Sequence, residues 1–313
     1  MSVTKVTPVD LTFTKDATFQ DVDCSAYIPS SATGVLVEII NTWTGAEKSV
    51  AIRKNGSTDT YVAKMRRSGH EMQMIGVDGS QIFECYAEDS YISIYLIGYT
   101  ESEAVFFDNA ITYTASAANT YEDFDISADT GTDVAIAAIA GIANTSGTTL
   151  TSSIRKNGST DDFYKISLGL CYRPVGVDAS EIFEVKISST TYDALCVGYF
   201  TDGISIDTNY TNVSPAGTGA YEDLTALDSS ATFGIYQTFT SSGGVIVAYN
   251  VRENGETDDR YYDTDYNYGF MIKPCDSSNL CEGKIETANV FIYQAGYFFD
   301  VANANRYFTS TIF

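Results

Sequence analysis

The segment Ile52-Arg53-Lys54-Asn55-Gly56-Ser57-Thr58-Asp59 returns as Ile154-Arg155-Lys156-Asn157-Gly158-Ser159-Thr160-Asp161, and again as Val251-Arg252-Glu253-Asn254-Gly255-Glu256-Thr257-Asp258. No other feature constrains the fold as much, because a recurrence at about 100 residues means one structural unit built three times. Other markers keep the same order. Phe19-Gln20-Asp21 matches Tyr121-Glu122-Asp123 and Tyr221-Glu222-Asp223, and Asp78 with Glu84 matches Asp178 with Glu184 and Asp276 with Glu282. Gly98-Tyr99, Gly198-Tyr199 and Gly296-Tyr297 close the copies. The reading is three units, 1–105, 106–205 and 206–313.

Within a copy the apolar residues alternate, as Val35, Val37 and Ile39 do, over short segments rich in β-branched and aromatic residues. That pattern predicts strands. About eight strands per unit predicts an all-β chain of three tandem β-sandwich domains, jelly-roll or Ig-like, of about 100 residues each. The alanine-rich stretch from Val134 to Ala143 has helical composition but shares its repeat offset with Val35 to Ile40, so it too is expected to be a strand. Its small residues suggest close packing on a neighbour.

Composition narrows the function. Eighteen Lys and Arg against 41 Asp and Glu give a net charge of −23, which argues against a nucleic-acid partner. No apolar run is long enough to insert in a membrane. The N-terminus lacks the apolar core of a secretory signal. One His and one Trp are a poor kit for acid-base chemistry, and neither an enzyme nor a cofactor is expected.

The repeated turn supplies the candidate structural residues. Asn55-Gly56, Asn157-Gly158 and Asn254-Gly255 fit two-residue hairpins with positive φ at both positions. Arg53 with Asp59, Arg155 with Asp161 and Arg252 with Asp258 would then form opposite-charge pairs across each hairpin. Asp161-Asp162 and Asp258-Asp259 are doublets of the type that binds calcium, though no complete calcium loop surrounds them and no metal is assigned. Asp78/Glu84 and its copies are paired carboxylates whose turn-and-strand setting suffices without catalysis. The six Cys fall at non-equivalent positions, which opposes a disulfide framework; Cys275 and Cys281 alone are placed for a local bridge. His70 has no counterpart in the other copies and reads as a surface-loop residue.

Phe13-Thr14 aligns with Tyr113-Thr114, Tyr210-Thr211 and Phe308-Thr309, four segments for three bodies. The residues Arg306, Tyr307, Phe308, Thr309, Ile312 and Phe313 are therefore expected to form an assembly strand, returned to the third unit or donated to another copy. Donation is head-to-tail and predicts a homo-oligomer or polymer.

The Arg-Lys-Asn-Gly-Ser turns inside repeated all-β units resemble β-sandwich modules in structural proteins of phages and archaeal viruses, of the tail-fibre or virion-surface type. That resemblance implies a virion or extracellular-filament component, with itself and other virion proteins as partners, and carries over no catalytic residue. The alternative is a carbohydrate-binding or adhesin repeat protein, in which Tyr and Trp43 stack on a surface glycan. A binding array should repeat its aromatic platform, and Trp43 is unique.

Overall fold

A computed structural model describes residues 3–144, 150–163, 165–167, 170–240, 247–257, 262–264 and 269–301. Among them the elements are all strands. The first repeat supplies β1 (Thr4–Asp10), β2 (Phe19–Asp23), β3 (Gly34–Asn41), β4 (Lys48–Lys54), β5 (Ala63–Met65), β6 (His70–Gly76), β7 (Ile82–Ala87) and β8 (Ile92–Thr100). The second supplies β9 (Ala104–Thr114), β10 (Glu122–Asp125), β11 (Ala137–Ala143), β12 (Leu150–Lys156), β13 (Lys165–Ser167), β14 (Arg173–Gly176), β15 (Ile182–Ile187) and β16 (Asp193–Phe200). The third supplies β17 (Ile204–Asn212), β18 (Glu222–Asp223), β19 (Ala231–Thr240), β20 (Val247–Glu253), β21 (Tyr262–Thr264), β22 (Gly269–Pro274), β23 (Cys281–Ile285) and β24 (Val290–Phe299). The alanine-rich stretch forms β11, where the repeat offset overrides helix propensity.

Each repeat distributes its strands over two antiparallel four-stranded sheets, in the order β1-β8-β3-β6 and β2-β7-β4-β5 for the first. The second repeat follows with β9-β16-β11-β14 and β10-β15-β12-β13, and the third with β17-β24-β19-β22 and β18-β23-β20-β21.

These six small sheets are arranged as the blades of a six-bladed β-propeller, which corrects the expectation of three tandem β-sandwich domains. The correction has a packing cause. In a free-standing sandwich the outer face of each sheet meets water, so its strands alternate between buried and exposed residues. Here every residue of β3 and of β11 is buried. One apolar cluster gathers Leu36 and Met74 from the first repeat, Ile139 and Tyr172 from the second, and Ile235 and Ile272 from the third. A second cluster, around Phe124 and Phe183, belongs to the second repeat alone.

Contacts run from β6 to β9 and β14, from β14 to β17, and from β22 back to β6, so the three pairs of blades close on one another. The edge strands β6, β14 and β22 are thereby covered, which removes unpaired edges from solvent. Met74 N donates to Tyr172 O at 3.0 Å, Cys171 Sγ to Met72 O at 3.2 Å, and Ile272 N to Met72 Sδ at 3.1 Å.

Strand register corrects one sequence alignment. Leu36, Ile139 and Ile235 face Gly98, Gly198 and Gly296, which fixes the equivalence of the repeats. On that basis Leu11, which bonds Ile94, is equivalent to Tyr113, opposite Ala194, and to Val213, which bonds Ile292. Phe13 lies beyond β1 and does not share a position with Tyr113 or Tyr210. Nor do Tyr113 and Tyr210 share one, since Tyr113 is equivalent to Val213, while the bulge in β9 and β17 is one residue longer than in β1. The segment 306–313, with Arg306, Tyr307, Phe308, Thr309, Ile312 and Phe313, lies outside the described residues.

Candidate functional site: the seams between repeats

The repeated segment, Arg-Lys-Asn-Gly in the first two copies and Arg-Glu-Asn-Gly in the third, closes β4, β12 and β20. Ser57 N bonds Lys54 O, Ser159 N bonds Lys156 O, and Glu256 N bonds Glu253 O, each at 3.1 Å. Gly56, Gly158 and Gly255 have φ near +80° (81°, 79° and 81°), whereas Asn55, Asn157 and Asn254 do not enter the positive region. These are turns with glycine alone in the left-handed position. They are not two-residue hairpins, because β5 begins only at Ala63.

The Asn side chain is directed elsewhere. Asn55 and Asn157 donate to Asp78 and Asp178 at 2.7 Å, and Asn254 to Asp276 at 3.0 Å. Asp78 also accepts the amides of Ser80 at 2.8 Å and Ile82 at 2.9 Å. Partial burial opposes its charge, but the Ile82, Asn55 and Ser80 bonds prevail and hold the carboxyl below its ordinary range. Asp276 is lowered chiefly by the Leu280 amide.

The Arg residues pair with the second acid of that set. Arg53 Nε meets Glu84 Oε2 at 2.8 Å, Arg155 meets Glu184 at 2.8 Å, and Arg252 meets Glu282 at 2.9 Å. Each guanidinium also lies over an aromatic ring, at 3.8 Å for Phe19, 3.5 Å for Tyr121 and 3.4 Å for Tyr221. The expected Arg–Asp charge pair takes a different form: Arg53 and Arg155 donate to the backbone carbonyls of Asp59 and Asp161.

That leaves the Asp carboxylates to face the next repeat. Asp59 accepts Ala110 N, and Asp161 accepts Tyr210 N, both at 2.7 Å. Asn109 and Asn209, in the bulges of β9 and β17, accept Thr58 N and Thr160 N at 2.8 Å in return. Lys54 adds an ion pair to Asp108 at 2.7 Å. The turn of one repeat therefore clasps the bulge of the following one. Asn109 and Asn209 stand out in no sequence motif, because they follow Ser57 and Ser159 at unequal distances, 52 and 50 residues.

The candidate calcium ligands are otherwise engaged. Asp162 accepts Tyr121 OH at 2.9 Å and pairs with Lys186 at 3.2 Å, while Asp161 holds Tyr210. No group of three His, Cys, Asp or Glu able to hold a metal occurs among the described residues. Asp258 and Asp259 lie outside them.

The seam from the third repeat back to the first differs. Lys5 on β1 pairs with Glu253, and with Glu256 at 3.7 Å, so cation and anion have exchanged sides relative to Lys54 and Asp108. Behind this pair lies a cavity of about 230 Å³ between β1 and β22. Its lining includes the fully buried Glu38, which is 3.4 Å from His70 Nδ1. His70, expected in a surface loop, opens β6 and is largely covered.

Away from the seams, Trp43 packs on Tyr91 with ring centroids 4.3 Å apart, and Lys48 lies over both rings. Cys275 and Cys281 are free thiols with sulfurs 3.9 Å apart.

No family model matches the chain, and no curated protein matches it. Among solved structures, the X-ray structure of the entire lipid-containing bacteriophage PM2 aligns over 95% of this chain and 88% of that chain, at 10% identity and a TM-score of 0.16. This is a weak likeness to a virion chain, below the level at which a common fold can be argued. No helix among the described residues is long and apolar enough to cross a membrane.

Proposed function

We propose that the protein is a non-enzymatic structural component of a virion or extracellular filament, a rigid acidic block that associates with further copies of itself. The observation that carries this reading is the use of the repeated polar residues. Arg53, Asp59, Asp78 and Glu84, with their counterparts among the described residues, join strand to strand or repeat to repeat, so the machinery that recurs holds a shape. A hydrolase would leave paired carboxylates free in a cleft.

Ring closure changes how association would occur. β1 already pairs with β8 from Thr4 to Asp10, and Lys5 already meets the third repeat, so a donated strand finds that edge occupied. The segment 306–313 is proposed to act at another edge or on another face. Light scattering and negative-stain microscopy of the intact chain and of a chain ending at residue 305 test the reading. Regular oligomers or polymers that weaken on truncation support it. A strictly monomeric intact chain at all protein and salt concentrations overturns it.

A further inference from the structure

The third repeat departs from the other two at one buried point. Asp276 and Glu282 hold the positions of Asp78 and Glu84 and of Asp178 and Glu184, so Cys275 stands where the other copies carry Val77 and Val177. Cys281 stands where they carry Phe83 and Phe183. A buried valine and a fully buried ring have both become thiols. β19 changes with them, because register puts Tyr236 in the place of Val37 and Ala140. Its ring is fully buried, and its hydroxyl, otherwise unpartnered among the described residues, is directed at the Cys281 sulfur. A thiol that serves only as a small apolar filler needs no hydroxyl beside it, since a hydroxyl costs free energy to bury.

The local backbone holds the two thiols together. Asp276 N bonds Leu280 O at 3.1 Å and Asn279 N bonds Asp276 O at 3.0 Å, which closes the turn between the cysteines. Asp276 Oδ1 fixes it from within, accepting Ser278 N at 2.8 Å and Leu280 N at 2.9 Å. Cys275 and Cys281 flank this turn with their sulfurs 3.9 Å apart. A disulfide bond is about 2 Å long, so the sulfurs must approach by roughly 2 Å, a distance that rotation about the two Cα–Cβ bonds spans.

The two thiols differ in access and in charge. Cys275 is partly exposed, whereas Cys281 is fully buried. Hydrogen bonding from the Cys275 thiol, with help from the Tyr236 hydroxyl and the charge of Lys273, holds Cys281 below the ordinary thiol range against the cost of burial. Cys275 is held above that range by the same pairing. At Cys24, Cys85, Cys171 and Cys196 burial pushes the thiol well up, which leaves them inert.

We propose that Cys275 and Cys281 are a reactive dithiol that low-molecular-weight disulfides convert to an intramolecular bridge, stapling the end of β22 in one sheet of the third repeat to the start of β23 in the other. In the first step the Cys275 sulfur attacks one sulfur of oxidised glutathione. The glutathione S–S bond breaks, and the departing thiolate takes the proton of Cys275. In the second step the Cys281 sulfur attacks Cys275 Sγ, and the second glutathione thiolate leaves with the remaining proton. Two cysteine thiols are oxidised, and one glutathione disulfide is reduced to two thiols. The staple fixes β22, whose contact with β6 closes the ring. This inference is independent of the assembly reading.

The test incubates the reduced full chain in glutathione buffers from fully reduced to fully oxidised, alkylates the remaining thiols after unfolding and reads each cysteine by peptide mass spectrometry. A bridge between Cys275 and Cys281 is expected, with the other four cysteines alkylated, and the bridged chain should melt several degrees above the reduced one. Cys281→Ala should stop at a glutathione adduct on Cys275. Cys275→Val restores the residue of the first two repeats and should take up no glutathione, because Cys281 is out of reach. If either variant does not fold, the titration of the parent chain decides. The proposal is overturned if fully oxidised glutathione leaves both thiols free, if it leaves a stable adduct on Cys275 of the parent chain, or if the other cysteines oxidise to the same extent.

Discussion

Arg155 shows how one side chain serves several partners. It pairs with Glu184, caps the Asp161 carbonyl and covers the Tyr121 ring, while remaining mostly shielded from water. Replacing it by Ala strands a mostly shielded carboxylate, and Arg155→Ala is expected to cost about 2–3 kcal/mol in chemical denaturation, less than for a fully buried pair. Arg155→Ala combined with Glu184→Ala should recover part of that loss, because the orphaned charge is gone. Glu71 makes a second prediction. Burial pushes its carboxyl up to about 8, with Gln73 at 3.1 Å and the charge of Arg66 opposing that rise. Below about pH 4.5 the group is protonated whether folded or unfolded. Between there and about 8 the unfolded chain loses the proton and the folded chain keeps it, so stability falls as pH rises. Glu71→Gln should match the parent at pH 4 and melt several degrees higher at pH 9, as differential scanning calorimetry would measure. Equal melting temperatures at both pH values would contradict it.

At the scale of elements, β11 explains its own composition. Both faces are covered, and a Cβ on Gly141 would stand 2.7 Å from the Cys171 carbonyl. Overpacking of this kind costs about 1–3 kcal/mol. Gly141→Ala should lower the melting temperature by about 2–8 °C. Gly79→Ala is the control, since nothing lies near its added methyl. An equal effect at the two positions would mean that the closeness of β11 and β14 is unimportant. Alanine in a strand and the absence of alternation in β3 have the same origin, two packed faces. Periodicity reveals a strand with one wet face far better than one with none. That is why the strands were legible and their second neighbours were not.

For the whole molecule, a core shared by three repeats predicts one cooperative unfolding transition, whereas independent domains would give several. Calorimetry of the intact chain distinguishes them. Lys5→Glu should weaken closure, because it sets a third negative charge against Glu253 and Glu256. Lys5 is 42% exposed at its side chain, so the direct loss is about 1 kcal/mol or less. At −23, association of copies should strengthen with salt, since screening reduces repulsion beyond about 10 Å at 0.1 M. Sedimentation that is unchanged from low to high ionic strength would place the acidic surface away from the contacts.

The strands, the threefold repeat and the recurring turn can be read from the chain alone, because each is a local consequence of side-chain alternation, glycine and asparagine chemistry and regular recurrence. The sequence also points to Arg53 with Asp59 and, separately, to Asp78 with Glu84, though not to their partners. Glu84 rather than Asp59 meets Arg53 because the strand pairing of β4 with β7 places them side by side. Long-range packing sets the rest: the sheets close as six blades, Asp59 and Asp161 reach into the next repeat, and one seam holds a cavity. These depend on which face of one repeat covers another. Such contacts join residues far apart in the chain, where no local pattern records them.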